Sequence, residues 1–500
     1  MSFEFDPYNI LGVANDASVD EIRTAYRRIA RRLHPDVNPS NPGAGIQFAD
    51  VTAAHDLLTD ESRRRKYDEQ VLAKKRGPSD DLYFTLRVTP SKRAIIPLQE
   101  AQVVYLLAEI FSDPRASNQP TKRESRLNLT LVLDHSNSMA GARLEKVKIA
   151  AHQIIDYLSG NDFLSVITFN DRANTIIPAT MVIDKPALKA RISMMTAAGG
   201  TEIFQGLSAG VTQNRTYLAP KLVNHVILLT DGHTFGDQNR CIELAEEAAK
   251  EGIAISAMGL GHDWNDEFLD QIASKTGGSS IFISSANAVV EFMNDHVRQL
   301  SNAFAERVKL SIAPDPDVQL ELAFKLAPHP QPLELDEGYI PLGSLQGSRP
   351  ISVLLQFQMP ANMGLGFRSV ARLLAIGDIL DNQPQSFQTI SDISLEITDN
   401  PPPEDPPSVI LDALSKLTLY RLQERAQEAL ENGDVIEATR RLENLATRLL
   451  DMGESDLAGQ VRMEASRVAH TSALSDKGRK TIKYQTRYLL LGPAVKDDSS

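Results

Sequence analysis

Five oxygen-bearing side chains in the middle of this chain have the types and spacing to bind a cation: Asp134, Ser136 and Ser138 in LVLDHSNSMAG, Thr201 in AAGGTE, and Asp231 in HVILLTDG. Two carboxylates and three hydroxyls make a hard, all-oxygen donor set of low charge. Such a set suits Mg²⁺ or Mn²⁺ that keeps water or an outside ligand in its shell. An Asp-x-Ser-x-Ser string alone is weak, because the same residues cap helices and form turns. Its context is stronger. Asp134 and Asp231 each close an apolar, β-branched run, and Thr201 sits in a glycine loop. Loops that leave the carboxyl ends of neighbouring parallel strands converge on one crevice.

A second constellation lies near the start, where YRRIARRLHPD runs a basic helical pattern into His34-Pro35-Asp36. Pro35 removes a backbone donor, fixes φ and biases His34 away from the helical region, so the helix must stop and the loop must project. Asp36 is then an exposed carboxylate. Arg23, Arg27, Arg28, Arg31 and Arg32 taken alone read as a solvated helix face, but their guanidinium forks also suit an acidic partner surface. No nucleophile stands beside His34, so the corner performs no chemistry.

A third match is GLSAG, residues 206 to 210, which fits the Gly-x-Ser-x-Gly nucleophile pattern. That elbow requires a strand directly before the serine and a sharp turn. Ser208 instead falls inside the helical run EIFQGLSAGVTQN, which argues against a hydrolase. His152 and His225 read as core or surface residues rather than ligands. Cys241, the single cysteine, excludes an intramolecular disulfide and a cysteine-based zinc site and reads as a buried structural thiol.

The elements that must position these residues follow from the hydrophobic pattern. Residues 127 to 302 alternate strand and helix, the mark of a mostly parallel sheet wrapped by helices. Strand-like runs on both sides, LYFTLRVTP and AQVVYLLAEIF before it and VKLSIAPD through ISLEIT after it, predict an antiparallel β-sandwich into which the α/β unit is inserted. DNPPPEDPPS is a stiff acidic proline linker. Beyond it, Leu411, Leu414, Leu422, Ala426 and Leu430 fall on one helical face, Gly433 and Gly453 mark stops and Asp434 a cap, predicting a hairpin or small bundle. The expected order is an all-α region at 1–72, a linker at 73–81, sandwich strands at 82–125, the α/β domain at 126–302, the rest of the sandwich at 303–398, the proline linker at 399–408 and a helical domain at 409–495.

Composition narrows the function classes. A hydrophobic content of 42% and a charged content of 23% are those of folded globular domains. The net charge of -13 opposes nonspecific binding to nucleic acid or anionic membrane. MSFEFDPY lacks the basic and apolar regions of a signal peptide, and no apolar run approaches a membrane span, so the expected location is cytoplasmic.

The first 70 or so residues resemble the J-domain of DnaJ-type co-chaperones. DPYNILGVANDASVDEIRTAYRRIARRLHPD matches the family's first two helices and its His-Pro-Asp loop, and FADVTAAHDLLTDESRRRKYD matches its third helix and an arginine-rich turn. The resemblance implies that this loop and the basic helix face dock on a DnaK-type ATPase and accelerate its hydrolysis of ATP. His34 and Asp36 would make the decisive contacts. His55 stands where the family usually has tyrosine. The zinc modules and Gly/Phe-rich linker of longer DnaJ proteins are absent, so client choice must lie elsewhere.

Residues 127 to 302 resemble a von Willebrand factor A (VWA) domain with its metal-ion-dependent adhesion site. The family's Asp-x-Ser-x-Ser, Thr and Asp fall on Asp134, Ser136, Ser138, Thr201 and Asp231, with Asn137 where glycine is frequent. The resemblance implies that hydroxyls bind the metal directly, aspartates help through water, and an acidic side chain of a protein partner completes the shell. The expected function is a bacterial, cytoplasmic, non-enzymatic adaptor whose J-domain recruits the chaperone to a partner of the VWA domain. The alternative is a metal-dependent scaffold, for instance for an AAA+ ATPase, with a peripheral J-domain.

Overall fold

The computed structural model describes residues 7–11, 13, 17–33, 42–76, 83–113, 125–234, 236–335, 339–380 and 385–489. The chain divides into two compact units, residues 1–82 and 83–500.

In the first unit the described helices are α1 (Pro7–Leu11), α2 (Val19–Leu33), α3 (Pro42–Thr59) and α4 (Glu61–Arg76). A capping box starts α2: Ser18 Oγ accepts from the Glu21 N–H at 3.3 Å, and Glu21 Oε2 accepts from the Ser18 N–H at 2.7 Å. Two donors that a helix start would leave orphaned are thereby satisfied. Ile22 and Ala25 turn inward onto Tyr8, Leu11, Val51, Ala54 and Leu58. The stretch expected as an arginine-rich turn is helical instead. Asp60 Oδ1 accepts from the Ser62 and Arg63 N–H groups at 2.9 and 3.0 Å, a cap that launches α4 directly. The Tyr8 hydroxyl, held by Arg64 Nε and Asp68 Oδ1 at 2.9 Å each, ties α4 to α1. Helix α4 continues to Arg76, into the stretch expected as a linker. Positions 77–81 of that linker lie outside the described residues.

The second unit opens with β1 (Phe84–Pro90), β2 (Ala94–Ile95) and β3 (Gln102–Ser112). An α/β domain follows: β4 (Arg126–Asp134), α5 (Ala142–Tyr157), β5 (Phe163–Phe169), β6 (Ala173–Met181), α6 (Lys185–Ser193), α7 (Ile203–Arg215), β7 (Leu222–Thr230), α8 (Gln238–Glu251), β8 (Ala254–Leu260), α9 (Asp266–Thr276), β9 (Ser280–Ile283) and α10 (Ala288–Ser301). Its sheet has the order β6-β5-β4-β7-β8-β9, parallel except for the antiparallel edge strand β6. Central strands β4 and β7 are rich in apolar residues and buried nearly throughout, as strands covered by helices on both faces must be. The sequence pattern had not suggested β6 and α6. The run ANTIIPATM contains Pro178, which falls where the β5–β6 register shifts and no ladder bond is lost.

The chain then returns to strands β10 (Ala303–Pro314), β11 (Gln319–Ala327), β12 (Gln331–Leu333), β13 (Tyr339–Gln346), β14 (Ile351–Met359), β15 (Gly366–Ile379) and β16 (Gln385–Ile397). They form two sheets, β1-β3-β14-β11-β12 and β13-β10-β15-β16-β2. Strands from before the α/β domain thus enter both sheets, which makes that domain an insertion between β3 and β10.

Four helices end the described chain: α11 (Ser408–Glu431), α12 (Val435–Asp451), α13 (Ser455–Thr471) and α14 (Asp476–Leu489). Gly433, at φ +77°, ends α11, and Asp434 caps α12 by accepting from the Glu437 N–H at 3.0 Å. The single apolar face expected for α11 is corrected: Leu411 is 49% exposed, while Ile410, Ala413, Leu417 and Tyr420 are buried. Helix α11 is covered on two sides, by Leu107, Phe324 and Leu354 of the sheet and by the neighbouring helices, so its buried surface is not one stripe. Among the described residues no helix is long and apolar enough to cross a membrane.

Candidate metal and partner sites

Strand order reverses between β4 and β7: β5 lies on one side of β4, β7 and β8 on the other. Leu133 pairs with Leu229, so Asp134 and Asp231 leave adjacent strand ends at that switch point. Asp134 is fixed on both oxygens. Its Oδ1 accepts from the Ser136 N–H at 2.8 Å and its Oδ2 from the Thr230 hydroxyl at 2.7 Å. Ser136 Oγ and Ser138 Oγ lie 2.9 Å apart, and the Ser138 hydroxyl donates to Asp231 Oδ1 at 2.7 Å.

Thr201 arrives from the glycine loop. The Asn137 N–H donates to Gly199 O at 3.1 Å and the Ala198 N–H to His135 O at 2.8 Å, which locks that loop against the Asp-x-Ser-x-Ser turn. Gly199 must be glycine: φ is +81°, and a Cβ would sit 2.7 Å from Asp171 Oδ2. A Cβ on Gly232 would lie 3.2 Å from Thr201 Oγ1, so the threonine hydroxyl faces the residue after Asp231. The structure therefore brings all five residues to one crevice. Asp134, Ser136 and Asp231 form a buried floor, and Ser138 reaches the surface.

The donor set fits a hard divalent cation. Burial raises the Asp134 carboxyl above its ordinary range, against the lowering pull of hydrogen bonds from Ser136 and Thr230, and the charge of Asp231 adds to the rise. Two buried carboxylates facing each other call for a counter-charge. Among the described residues no group of three His, Cys, Asp or Glu could hold a metal, so the hydroxyls would have to supply the remaining bonds.

Two features escaped the sequence reading. Thr230, the last residue of β7, orients Asp134, a role that a threonine inside a strand does not announce. Arg143, in the first turn of α5, pairs with Asp231 Oδ2 and donates to Ser138 O at 3.3 Å. An arginine in a helix ordinarily reads as solvated, and no periodicity marks it.

A third feature lies beside the crevice, where α14 is clamped to the α/β domain. Arg479 and Lys483 bond Asp266 at 2.7 and 2.6 Å; Arg487 and Tyr484 bond Asp270 at 2.8 and 3.1 Å. Lys480 Nζ donates to the carbonyls of His262 and Trp264 in the loop after β8. Burial alone would raise the Asp270 carboxyl, but Arg487 and Lys483 outweigh it and hold it well below the usual range.

Elsewhere, Ser208 sits within α7, after no strand. His152 reaches Lys189 O at 3.1 Å, and His225 is buried against Ser256 Oγ at 2.9 Å. Cys241 is buried, which pushes its thiol up. In the first unit Arg23, Arg27 and Arg31 are exposed along α2, and His55 stacks on Tyr26 with ring centroids 4.1 Å apart. The side chains of Arg28 and Arg32, and His34, Pro35 and Asp36 entirely, lie outside the described residues.

A doubly wound sheet with this cluster at its switch point, on one chain with a capped helical unit whose sequence carries His-Pro-Asp directly after α2, defines a VWA protein that carries a J-domain. Residues 6–68 match the DnaJ domain, 128–295 the von Willebrand factor type A domain and 408–492 the Sll0103-like, C-terminal alpha-helical domain. Uncharacterized protein sll0103 of Synechocystis sp. (strain ATCC 27184 / PCC 6803 / Kazusa) is 30% identical over 386 residues, 75% of this chain and 90% of that protein. The chain belongs to the Sll0103-like family. Its first unit is 54% identical over 66 residues to Chaperone protein DnaJ 2 of Mycolicibacterium paratuberculosis, which is 13% of this chain and 17% of that protein. Over 82% of its length the chain shares the fold of a von Willebrand factor type A protein from Catenulispora acidiphila, at a TM-score of 0.66, 15% identity and 98% coverage of that structure. J-domains work with DnaK-type chaperones; VWA domains are protein-interaction modules that commonly hold a divalent metal.

Proposed function

We propose that this chain is a cytoplasmic adaptor that brings a DnaK-type chaperone to a protein bound by its VWA domain. The observation that carries the reading is the union on one chain of a His-Pro-Asp corner, inside a matched DnaJ domain, with a convergent Asp134, Ser136, Ser138, Thr201 and Asp231 cluster in a matched VWA domain. His34, Pro35 and Asp36 contact the ATPase, and Arg23, Arg27, Arg28, Arg31 and Arg32 attract its acidic surface. The five VWA residues hold Mg²⁺ or Mn²⁺, which supplies a Lewis-acidic coordination position for an acidic side chain of the partner. The chain performs no catalysis itself. Residues 1–72 and 126–302 act as separate modules whose covalent linkage raises their effective concentration for each other.

The test is steady-state ATP hydrolysis by a cognate DnaK-type chaperone with the full chain added. Wild type is expected to stimulate, His34→Gln to fail, and Asp134→Ala to stimulate like wild type while losing its partner. No stimulation by wild type across the cognate chaperones would overturn the co-chaperone role and leave a metal-dependent scaffold.

A further inference from the structure

We infer that Arg143 is the resident counter-cation of the VWA crevice, and that a divalent cation loads only by displacing its guanidinium from Asp231. The inference rests on the proposed metal role of the five-residue cluster and adds to it a residue that sets the cation affinity.

Three observations carry it. Both Asp231 oxygens already have partners, the Ser138 hydroxyl on Oδ1 and the Arg143 guanidinium on Oδ2, and Arg143 also reaches Ser138 O. The guanidinium therefore competes with a second cation by position and charge. Next, Arg143 stands at the wrong end of its helix. It follows the Gly141 N-cap by two residues, where the helix dipole disfavours a cation, so helix stability does not explain its place. Finally, the pair is asymmetric in access. The Asp231 side chain is 0% exposed and that of Arg143 36%, so the arginine has a path to solvent and the carboxylate does not.

The groups around Arg143 fit such an exchange. A Cβ on Gly261 would lie 3.4 Å from Arg143 Nη2, so the guanidinium rests against the start of the loop whose His262 and Trp264 carbonyls are held by Lys480. A guanidinium released at this rim stands beside the position where an acidic partner group would arrive, and its fork matches a carboxylate.

Two measurements on the full chain test the inference. Mn²⁺ affinity is read from the electron paramagnetic resonance signal of free Mn²⁺ for wild type, Arg143→Gln and Asp134→Ala. Removing the competing charge is expected to tighten Mn²⁺ binding in Arg143→Gln by about 5- to 150-fold, the usual range of a coupling between two ligands. Labelling of wild-type Arg143 by phenylglyoxal, followed by mass spectrometry, is expected to rise on Mn²⁺ saturation and to stay constant in Asp134→Ala. An Arg143→Gln affinity equal to or weaker than wild type, or labelling indifferent to Mn²⁺, overturns the exchange while leaving the metal site standing. If neither folded wild type nor Arg143→Gln binds Mn²⁺, the metal reading itself fails and the exchange falls with it.

Discussion

Asp134 shows how much of this molecule turns on single donors. Its carboxyl is buried and raised, with the Ser136 N–H donating to one oxygen and the Thr230 hydroxyl to the other. Thr230→Val keeps the shape and strand preference of β7 but leaves Oδ2 bare, and an unsatisfied buried acceptor costs about 1–3 kcal/mol. Urea unfolding in EDTA should reveal that loss, and an unchanged midpoint would refute the assigned role of Thr230. Under the proposed metal reading, millimolar Mg²⁺ raises the melting temperature of wild type but not of Asp134→Ala, because a ligand stabilises only the state that binds it. At this scale the sequence was legible where chemistry and spacing coincide. Asp134, Ser136 and Ser138 lie in one turn, and Asp231 closes an unmistakable strand. Thr230 and Arg143 were not legible, because a strand threonine and a helical arginine have common structural uses and only the fold brings them to the crevice.

Helix α7 gives the glycines of GLSAG, already read from the sequence as part of a helix, a packing role: a Cβ on Gly206 would lie 2.6 Å from the Phe169 ring, and one on Gly210 would lie 2.4 Å from Val132 Cγ2. Helix α7 therefore lies close against β4 and β5, and Ser208 points away from that contact as an ordinary helical residue. Gly210→Ala should destabilise the protein by about 1–3 kcal/mol through overpacking, read by urea unfolding, despite the better helix propensity of alanine. A stabilised variant would show that the contact is loose. The clamp by α14 makes the opposite point. Arg479, Lys480, Lys483 and Arg487 recur with helical spacing, and Asp266 and Asp270 are four apart on α9, but nothing in the sequence says that these two faces meet across more than 200 residues. Arg487→Met leaves Asp270 with less compensation in a buried setting, and breaking such a pair costs about 3–5 kcal/mol. Limited proteolysis should then cut α14 first; equal resistance of variant and wild type would argue that the clamp contributes little.

At the scale of the whole second unit, the α/β insertion meets the sandwich through a cluster of histidines: His225 of β7, His296 of α10 and His329 just after β11. His296 Nε2 lies 3.4 Å from His225 Nε2, and the rings of His296 and His329 are 6.2 Å apart. Ser256, Lys325, Gln299 and Gln346 complete the surroundings. Burial pushes His296 down to about 4; burial, with the charges of His296, Lys325 and Arg349, pushes His329 down to about 3; and burial with His296 holds His225 well below its ordinary value. The unfolded chain takes up protons at these positions below pH ~6.5, whereas the folded chain does not. Their contribution is therefore fully present above that pH and is lost as pH falls toward about 4. Glu306, which burial pushes up to about 8, acts in the opposite sense, since its folded carboxyl keeps a proton that the unfolded chain releases. Lys325, pushed down to about 8, stays charged on both sides of the acid window. Within this interface three groups stand against one, so its own contribution to stability in urea falls steadily between pH ~6.5 and ~4.5. His296→Gln should flatten that dependence by up to about 1.4 kcal/mol per pH unit, one proton's worth, whatever it does to stability at pH 8. If the variant and wild type lose stability in parallel over this window, the histidine cluster does not tie the α/β domain to the sandwich in a pH-dependent way.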